Sequence, residues 1–255
     1  MEKTIPKTKI RLDQLIVKKG LIESREKAKA VIMAGEVMVD GERADKPGHA
    51  FFEDCKITLK KASMPYVSRG GLKLEAAIKH FNIDVKDLVL LDIGSSTGGF
   101  TDCLLQNGAK KVIAVDVGYG QIHWKLRQDT RVIVMEKTNA RYLEQEQIDG
   151  YPDGAVIDVS FISLKQVIPA VSGLLPDNAF ILALIKPQFE AGKGLVGKGG
   201  VVRDEKIHGD IIHDIREFCI SQGWKPEGEI PSPILGPKGN KEFLIYLKRQ
   251  TEPSL

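Results

Sequence analysis

The chain has 255 residues and a mass of 28.1 kDa, with 42% apolar, 28% charged and 6% aromatic residues, a balance that excludes disordered, collagenous and fibrous chains. Its longest nearly unbroken apolar run, 179–185, is about a third of the roughly 20 residues that a membrane-crossing helix needs. Net charge is +3, and the excess sits at the front: residues 1–63 carry 14 Lys and Arg against 10 Asp and Glu, which leaves 23 against 24 for the rest. A basic small module ahead of a neutral larger one suits nucleic-acid binding, because cationic surfaces release counterions from phosphates, although a few units of charge are also common on solvated faces. The first ten residues carry Lys3, Lys7 and Lys9 but no apolar leader core follows them, so residence in the cytoplasm is expected. Cys55, Cys103 and Cys219 are odd in number and far apart, so neither a disulfide framework nor a metal site is expected, and small buried apolar roles suit all three.

In chain order, residues 11–29 read as two short helices. The first presents Leu12, Leu15 and Ile16 on one face and is closed by Gly20, and Ser24 caps a second over 25–33. Arg25, Lys27 and Lys29 decorate that helix, while Ala28, Val31 and Ile32 face inward. From Gly35, apolar and polar residues alternate up to Asp40-Gly41, a tight-turn dipeptide, which predicts a β-hairpin. A further strand is expected over 55–59. The order helix, helix, hairpin, with Arg11-Leu12-Asp13, Ser24-Arg25-Glu26-Lys27-Ala28 and Gly35-x-Val37-x-Val39-x-Gly41, resembles the S4-like RNA-binding domain. That resemblance implies an α+β fold for residues 1–61 and makes Arg11, Ser24, Arg25 and Lys29 candidates for RNA backbone contacts. The alternative for these four is solvated helix charge. Pro65 forbids helix and central strand, and residues 62–67 are expected to link the module to a second domain over 68–255.

Beyond the linker, strand-like apolar runs at 88–93, 111–115, 131–135, 154–159, 179–185 and 243–247 alternate with helical segments. Alternation of this kind predicts an α/β fold, a Rossmann-like parallel sheet with helices on both faces, whose ligands bind at the carboxyl ends of the strands. The first run ends in Asp92-Ile93-Gly94-Ser95-Ser96-Thr97-Gly98-Gly99-Phe100, leading to a helix expected over 102–107. Its glycines admit a ligand to the backbone, and the spacing does not fit the Gly-x-Gly-x-x-Gly dinucleotide fingerprint. An acidic Asp92 repels pyrophosphate but serves a ligand bearing an ammonium or sulfonium group, which points to S-adenosylmethionine. Asp92, Gly94, Ser95, Thr97, Gly98, Gly99 and Phe100 are therefore candidate cofactor contacts. Asp116, 24 positions after Asp92 at the end of the second run, is the candidate for the ribose hydroxyls, and Asn139 near the end of the third is placed to flank an adenine.

Four residues with unusual placements remain. Asp158 and Lys186 end the fourth and fifth runs, Glu242 opens the last, and Lys73 lies just ahead of the first in Ser68-Arg69-Gly70-Gly71-Leu72-Lys73. Together Lys73, Asp158, Lys186 and Glu242 resemble the Lys-Asp-Lys-Glu tetrad of FtsJ-type RNA ribose 2′-O-methyltransferases. With the S4-like module ahead of it, Val67-Ser68-Arg69-Gly70-Gly71 at the junction and the Gly- and Lys-rich stretch 192–203, the whole chain is similar to the TlyA family. That resemblance implies methylation of cytidine 2′-hydroxyls in ribosomal RNA within ribosomal subunits, with S-adenosylmethionine as methyl donor; no membrane partner is expected from the apolar run lengths, and a monomer or weak dimer is expected. Members are often labelled hemolysins. Ser63-Met64-Pro65-Tyr66 departs from the basic-then-aromatic linker tetrapeptide of the family.

Removing the proton of a ribose hydroxyl needs a base, and Lys186 is the candidate. A neighbouring cation, Lys73, lowers an amine pKa, whereas carboxylates raise it, so base and electrostatic anchor both stand at this point, with Asp158 and Glu242 orienting the amines. Residues 190–203 show no apolar periodicity and are expected to form a mobile loop in which Lys193, Lys198 and Arg203 hold RNA phosphates; a solvated loop is the alternative. An RNA-binding protein without catalysis, or a membrane-active hemolysin, are the competing functions, and no spanning segment supports the latter.

Overall fold

A computed structural model describes residues 9–33, 35–59, 64–192, 194–197 and 199–249. The chain divides into two units, Met1–Pro65 and Tyr66–Leu255. In the first, strand β1 (Lys9–Arg11) runs into helix α1 (Leu12–Lys18), followed by α2 (Arg25–Met33), β2 (Val37–Val39), β3 (Glu42–Arg43), β4 (Ala50–Phe52) and β5 (Ile57–Leu59). Helix α1 ends where Gly20 takes a φ of +69°, a left-handed value that costs glycine little. Leu12, Leu15 and Ile16 of α1 and Ala28 and Ile32 of α2 are fully buried together with Val37. The β2–β3 hairpin closes on Asp40-Gly41, both at positive φ, with Val39 opposite Glu42, the backbone that a two-residue turn of this handedness needs. β2 also pairs with β5, and β1 pairs antiparallel with β4. The β1–β4 ribbon has no counterpart among the strands expected from the sequence.

The second unit holds α3 (Gly70–Phe81), β6 (Val89–Ile93), α4 (Gly99–Gln106), β7 (Lys111–Val115), α5 (Trp124–Arg127), β8 (Val132–Met135), β9 (Gly154–Ile157), α6 (Leu164–Gly173), β10 (Phe180–Ile185), α7 (Pro187–Glu190), α8 (Glu205–Ser221), β11 (Trp224–Pro231) and β12 (Phe243–Arg249). One seven-stranded sheet has the order β11-β12-β10-β9-β6-β7-β8. Neighbours from β10 through β8 are parallel, and β12 runs antiparallel to both β10 and β11. Both faces are covered: Leu91, Ile93, Ile113 and Val115 face one core, and Leu90, Val112 and Ala114 the other. This is why the strands read as continuous apolar runs rather than alternating ones. Order reverses between β6 and β9, so the crevice at their carboxyl ends is the expected ligand position.

Two expectations are corrected. The sheet is not wholly parallel and has a seventh strand, β11, whose alternating burial, two prolines and Gly228 hid it from a search for apolar runs. Helix α4 begins at Gly99, three residues ahead of the expected 102, because the left-handed Gly98 (φ +92°) completes the turn before it. Among the described residues no helix is long and apolar enough to cross a membrane.

Candidate active site

The loop leaving β6 turns at Gly94 (φ +83°) and Gly98 (φ +92°). A Cβ on Gly94 would lie 2.6 Å from the carbonyl oxygen of Asp158, and one on Gly98 would meet Leu126. The first contact packs the loop onto the end of β9 and brings Asp158 beside it. The Asp116 carboxylate, just past β7, accepts Ser96 N–H on Oδ2 (2.8 Å) and Gly118 N–H on Oδ1 (2.7 Å). Each of its oxygens keeps a lone pair for a further donor.

Asp92 is placed differently from the expectation that it faces a cationic ligand. It is fully buried beneath the loop and lines neither of the cavities below. Oδ2 accepts Thr101 Oγ1–H at 2.6 Å, while Oδ1 has no hydrogen-bond partner among the described residues. Burial pushes its pKa up to about 7, against the hydroxyl and backbone N–H of Thr101, which favour the anion. Its place is under the loop, holding the start of α4.

Two cavities open at the carboxyl ends of the strands. The larger, about 410 Å³, is lined by Asp116, Thr138, Asn139, Ala140, Phe161 and Val167 among others, a size and mixed lining ordinary for a small-molecule site. Asn139 Oδ1 accepts Arg141 N–H, which fixes the side chain at the cavity wall. The second, about 280 Å³, is lined by Arg69, Lys73, Thr97, Phe100, Lys186 and Leu235, with Ser68, Gly70 and Gly236. Gly94, Ser96, Asp158 and Ser160 line both, so the two meet at the tip of β9. Ser95 and Gly99 line the second cavity, whereas Gly98 lines neither and serves the turn. Phe161 stands 90% exposed at a φ of +64°, its ring 5.0 Å from that of Phe189.

The four candidate catalytic residues form two ion pairs. Lys186 Nζ lies 2.6 Å from Asp158 Oδ1 and donates to Ser160 Oγ at 2.9 Å. Lys73 Nζ donates to Glu242 Oε2 at 2.6 Å. Both amines are largely buried, at 8% exposure for Lys73 and 7% for Lys186, and Glu242 is 1% exposed. Pro187 begins α7 directly after Lys186 and ends the strand there. Lys73, Asp158 and Lys186 line the smaller cavity; Glu242 does not, and stands behind Lys73. The arrangement is therefore three groups at the wall with a fourth behind.

The basic candidates divide. Arg11 and Arg25 both bond the fully buried Asp13, at 3.1 and 3.0 Å, and their guanidinium groups hold its pKa down to about 2. Both stay about half exposed, so they have an internal partner as well as a solvent face. Ser24 Oγ accepts Lys27 N–H as a helix cap, and Lys29 is exposed. Arg203 is exposed, whereas Lys193 and Lys198 lie outside the described residues. Beyond Glu190, where α7 ends, the described residues up to Arg203 form a loop in which Gly197 bridges Val201 and Val201 and Val202 are buried. Asn240 and His208 tie Val202 down from distant parts of the chain. Ser160, Arg69, Leu235 and Gly236 also line the site, and no pattern in the sequence assigned them a role. Ser160 sits two residues after Asp158 at a strand end, which was the available signal. No group of His, Cys, Asp and Glu among the described residues is arranged to hold a metal ion.

Comparison with known proteins agrees with this architecture. The FtsJ-like methyltransferase family matches residues 66–249 and the S4 domain matches residues 10–50. The chain is 54% identical over 240 residues to the candidate rRNA methyltransferase YqxC of Bacillus subtilis, covering 94% of this chain and 85% of that protein. It is 45% identical over 246 residues to the 16S/23S rRNA (cytidine-2′-O)-methyltransferase TlyA of Mycobacterium tuberculosis, covering 96% and 92%. A solved structure described as a candidate hemolysin from Streptococcus thermophilus superimposes with a TM-score of 0.74 at 49% identity, covering 96% of this chain and 90% of that one. Fold, site and family matches define an FtsJ-like methyltransferase preceded by an S4 domain. Within that class, the chain belongs to the TlyA family.

Proposed function

We propose that this protein transfers a methyl group from S-adenosylmethionine to the 2′-hydroxyl of a cytidine in ribosomal RNA. The observation that carries this reading is the two ion pairs, Lys186 with the half-buried Asp158 and Lys73 with the buried Glu242, at a small cavity that meets a larger one lined by Asp116 and Asn139. The relatives named above, one of them a cytidine-2′-O-methyltransferase, support the same substrate.

The residues present fit the cofactor. Asp116 retains acceptor capacity for two ribose hydroxyls, Asn139 and the apolar Ala140, Ile162 and Val167 suit a flat base, and Gly94 leaves no side chain where the two cavities meet. S-adenosylmethionine bound there supplies an activated methyl group. The chain's own residues then manage the proton and the nucleophile. In its base form Lys186 donates to Ser160 Oγ beside the Asp158 carboxylate, and its lone pair takes the 2′-hydroxyl proton. If the amine stays charged, its N–H groups not used by Ser160 stabilise the developing alkoxide while the hydroxyl proton passes to solvent. Lys73 adds positive charge at the wall, and Glu242 behind it fixes that amine. Exposed Phe161 offers a ring face for a base. Lys29, Arg203 and the solvent faces of Arg11 and Arg25 supply phosphate contacts.

Tritiated methyl transfer to unmodified ribosomal subunits tests the reading, with Lys186→Ala beside the wild type. Label recovered after alkaline hydrolysis as a 2′-O-methyl dinucleotide, and lost in the variant, is the expected result. No transfer by the wild type to either subunit or to naked RNA would leave binding without catalysis as the function.

A further inference from the structure

We propose that Asn240 is a positioning residue for catalysis: it pins the loop before β12 to the segment that follows Lys186, and so sets Glu242 against Lys73. This rests on the functional reading above and extends it to a residue with no contact to either cavity. Asn240 is 2% exposed, although it sits in an irregular loop where an amide side chain ordinarily reaches water. Its side chain makes three bonds. Oδ1 accepts Val202 N–H at 3.1 Å, and Nδ2 donates to the carbonyls of Gly200 at 2.9 Å and Pro237 at 3.1 Å. Two of these partners belong to the stretch after α7 and one to its own loop, so a single amide joins the chain leaving Lys186 to the chain arriving at Glu242.

The loop itself is built to place that carboxylate. Gly236 N–H donates to the Asn240 carbonyl at 2.8 Å, and Ser232 N–H donates to the Glu242 carbonyl at 2.8 Å. The narrow turn so closed brings Gly236 directly onto Glu242, where a Cβ would collide with Oε1. Gly236 has φ −72° and ψ −174°, a backbone open to any residue, so the requirement for glycine there is the carboxylate and not the turn. Glu242 is thus held between Gly236 on one side and Lys73 on the other. Losing the Asn240 bonds frees the loop, and misplacing a catalytic group by about 1 Å can cost 10²-fold in rate. Lys186 is held independently, by its place at the end of the central strand β10 and by Asp158 and Ser160.

The experiment is Asn240→Ala in the full chain, followed in two ways. Methyl transfer should fall roughly 10- to 100-fold in kcat, with S-adenosylmethionine affinity unchanged by calorimetry. In parallel, acetylation of amines by an N-hydroxysuccinimide ester, read by mass spectrometry, should accelerate at Lys73 but not at Lys186. A fall in kcat without selective labelling of Lys73, selective labelling without a fall in kcat, or both lysines accelerating together overturns the proposal. If the wild type transfers no methyl group, the functional reading fails, and the labelling alone decides whether Asn240 holds the Lys73–Glu242 pair. Should Asn240→Ala not fold, Asn240→Asp, which keeps the acceptor for Val202 N–H and loses both donor bonds, must give the same Lys73-selective labelling, and its absence is equally decisive.

Discussion

Each unit contains a fully buried aspartate near the start of a helix, and the two behave in opposite ways. Asp13, in the first turn of α1, receives two guanidinium groups, and hydrogen bonds from Arg11 and then Arg25 hold its pKa at about 2. Asp92, at the end of β6, receives only the neutral hydroxyl and backbone N–H of Thr101, and burial lifts its pKa to about 7. Both carboxylates are screened from water, but Asp92 lies deep in the larger unit with Asp158 and Asp116 as charged neighbours, whereas Asp13 lies shallow with two cations from the surface; depth and neighbours together move the two pKa values in opposite directions. In the small unit the charge is spent on holding surface arginines in place. In the large unit, burial is left uncompensated beneath the glycine loop, while the compensated pairs, Lys73 with Glu242 and Lys186 with Asp158, stand at the cavity.

The largest effect that follows from this division is on chemistry. Lys186→Ala should cut methyl transfer by about 10²- to 10⁴-fold, the range for loss of a positioned acid–base group, with the cooperative unfolding of the larger unit retained in calorimetry. A variant that keeps more than a tenth of the activity would return Lys186 to the class of structural ion pairs.

Next come the two aspartates, whose substitutions should show opposite pH dependence. The raised pKa of Asp92 means that the folded state holds a proton the unfolded chain has lost; stability from this group is complete below about pH 4 and declines as pH rises through about 7. Asp92→Asn should therefore match the wild type near pH 4 and gain on it by up to about 4 kcal/mol by pH 8, since each pH unit separating the folded from the unfolded pKa is worth roughly 1.4 kcal/mol. Asp13 contributes in the reverse sense: its stabilisation is present above about pH 4 and lost as pH falls through about 2. Asp13→Asn should cost about 2 kcal/mol at pH 7, after allowance for the water around both arginines, a cost that shrinks toward zero as pH falls below about 2. Denaturant titrations across pH check both, and parallel rather than opposed profiles would dissolve the comparison.

The smallest effect belongs to the surface of the small unit. Lys29→Ala should weaken RNA binding about equally for all sequences and reduce the salt slope of log affinity by about one, with α2 intact because Ala28 and Ile32 carry its packing. An unchanged slope would place Lys29 among solvated helix charges.

Much of this was legible in the chain. The capped helices of the first unit and the Asp40-Gly41 turn are local chemistry, and so are the six apolar strand runs, whose burial on both faces leaves no alternation to misread. The strand ends were legible too, because they fall where apolar runs stop: Asp116 and Lys186 are each the first polar residue after a run, and Asp158 is the first polar residue within the run that closes at Val159. β11 was not legible, since an edge strand with Pro226, Gly228 and Pro231 has the composition of a loop until β12 pairs with it.

By itself, then, the sequence determined where apolar runs lie, where strands end, and which ionisable groups stand there; these depend on neighbours within a few positions. Tertiary structure alone decided who meets whom. Lys73 and Glu242 are 169 positions apart, and Asn240 lies 38 and 40 positions from its partners Val202 and Gly200. The same packing turned Asp92 under its loop rather than toward a ligand, and gave Asp13 its two arginines. Such pairings are fixed by the crossing of distant elements, whose geometry no local pattern encodes, and the state of every buried charge in this protein follows from them.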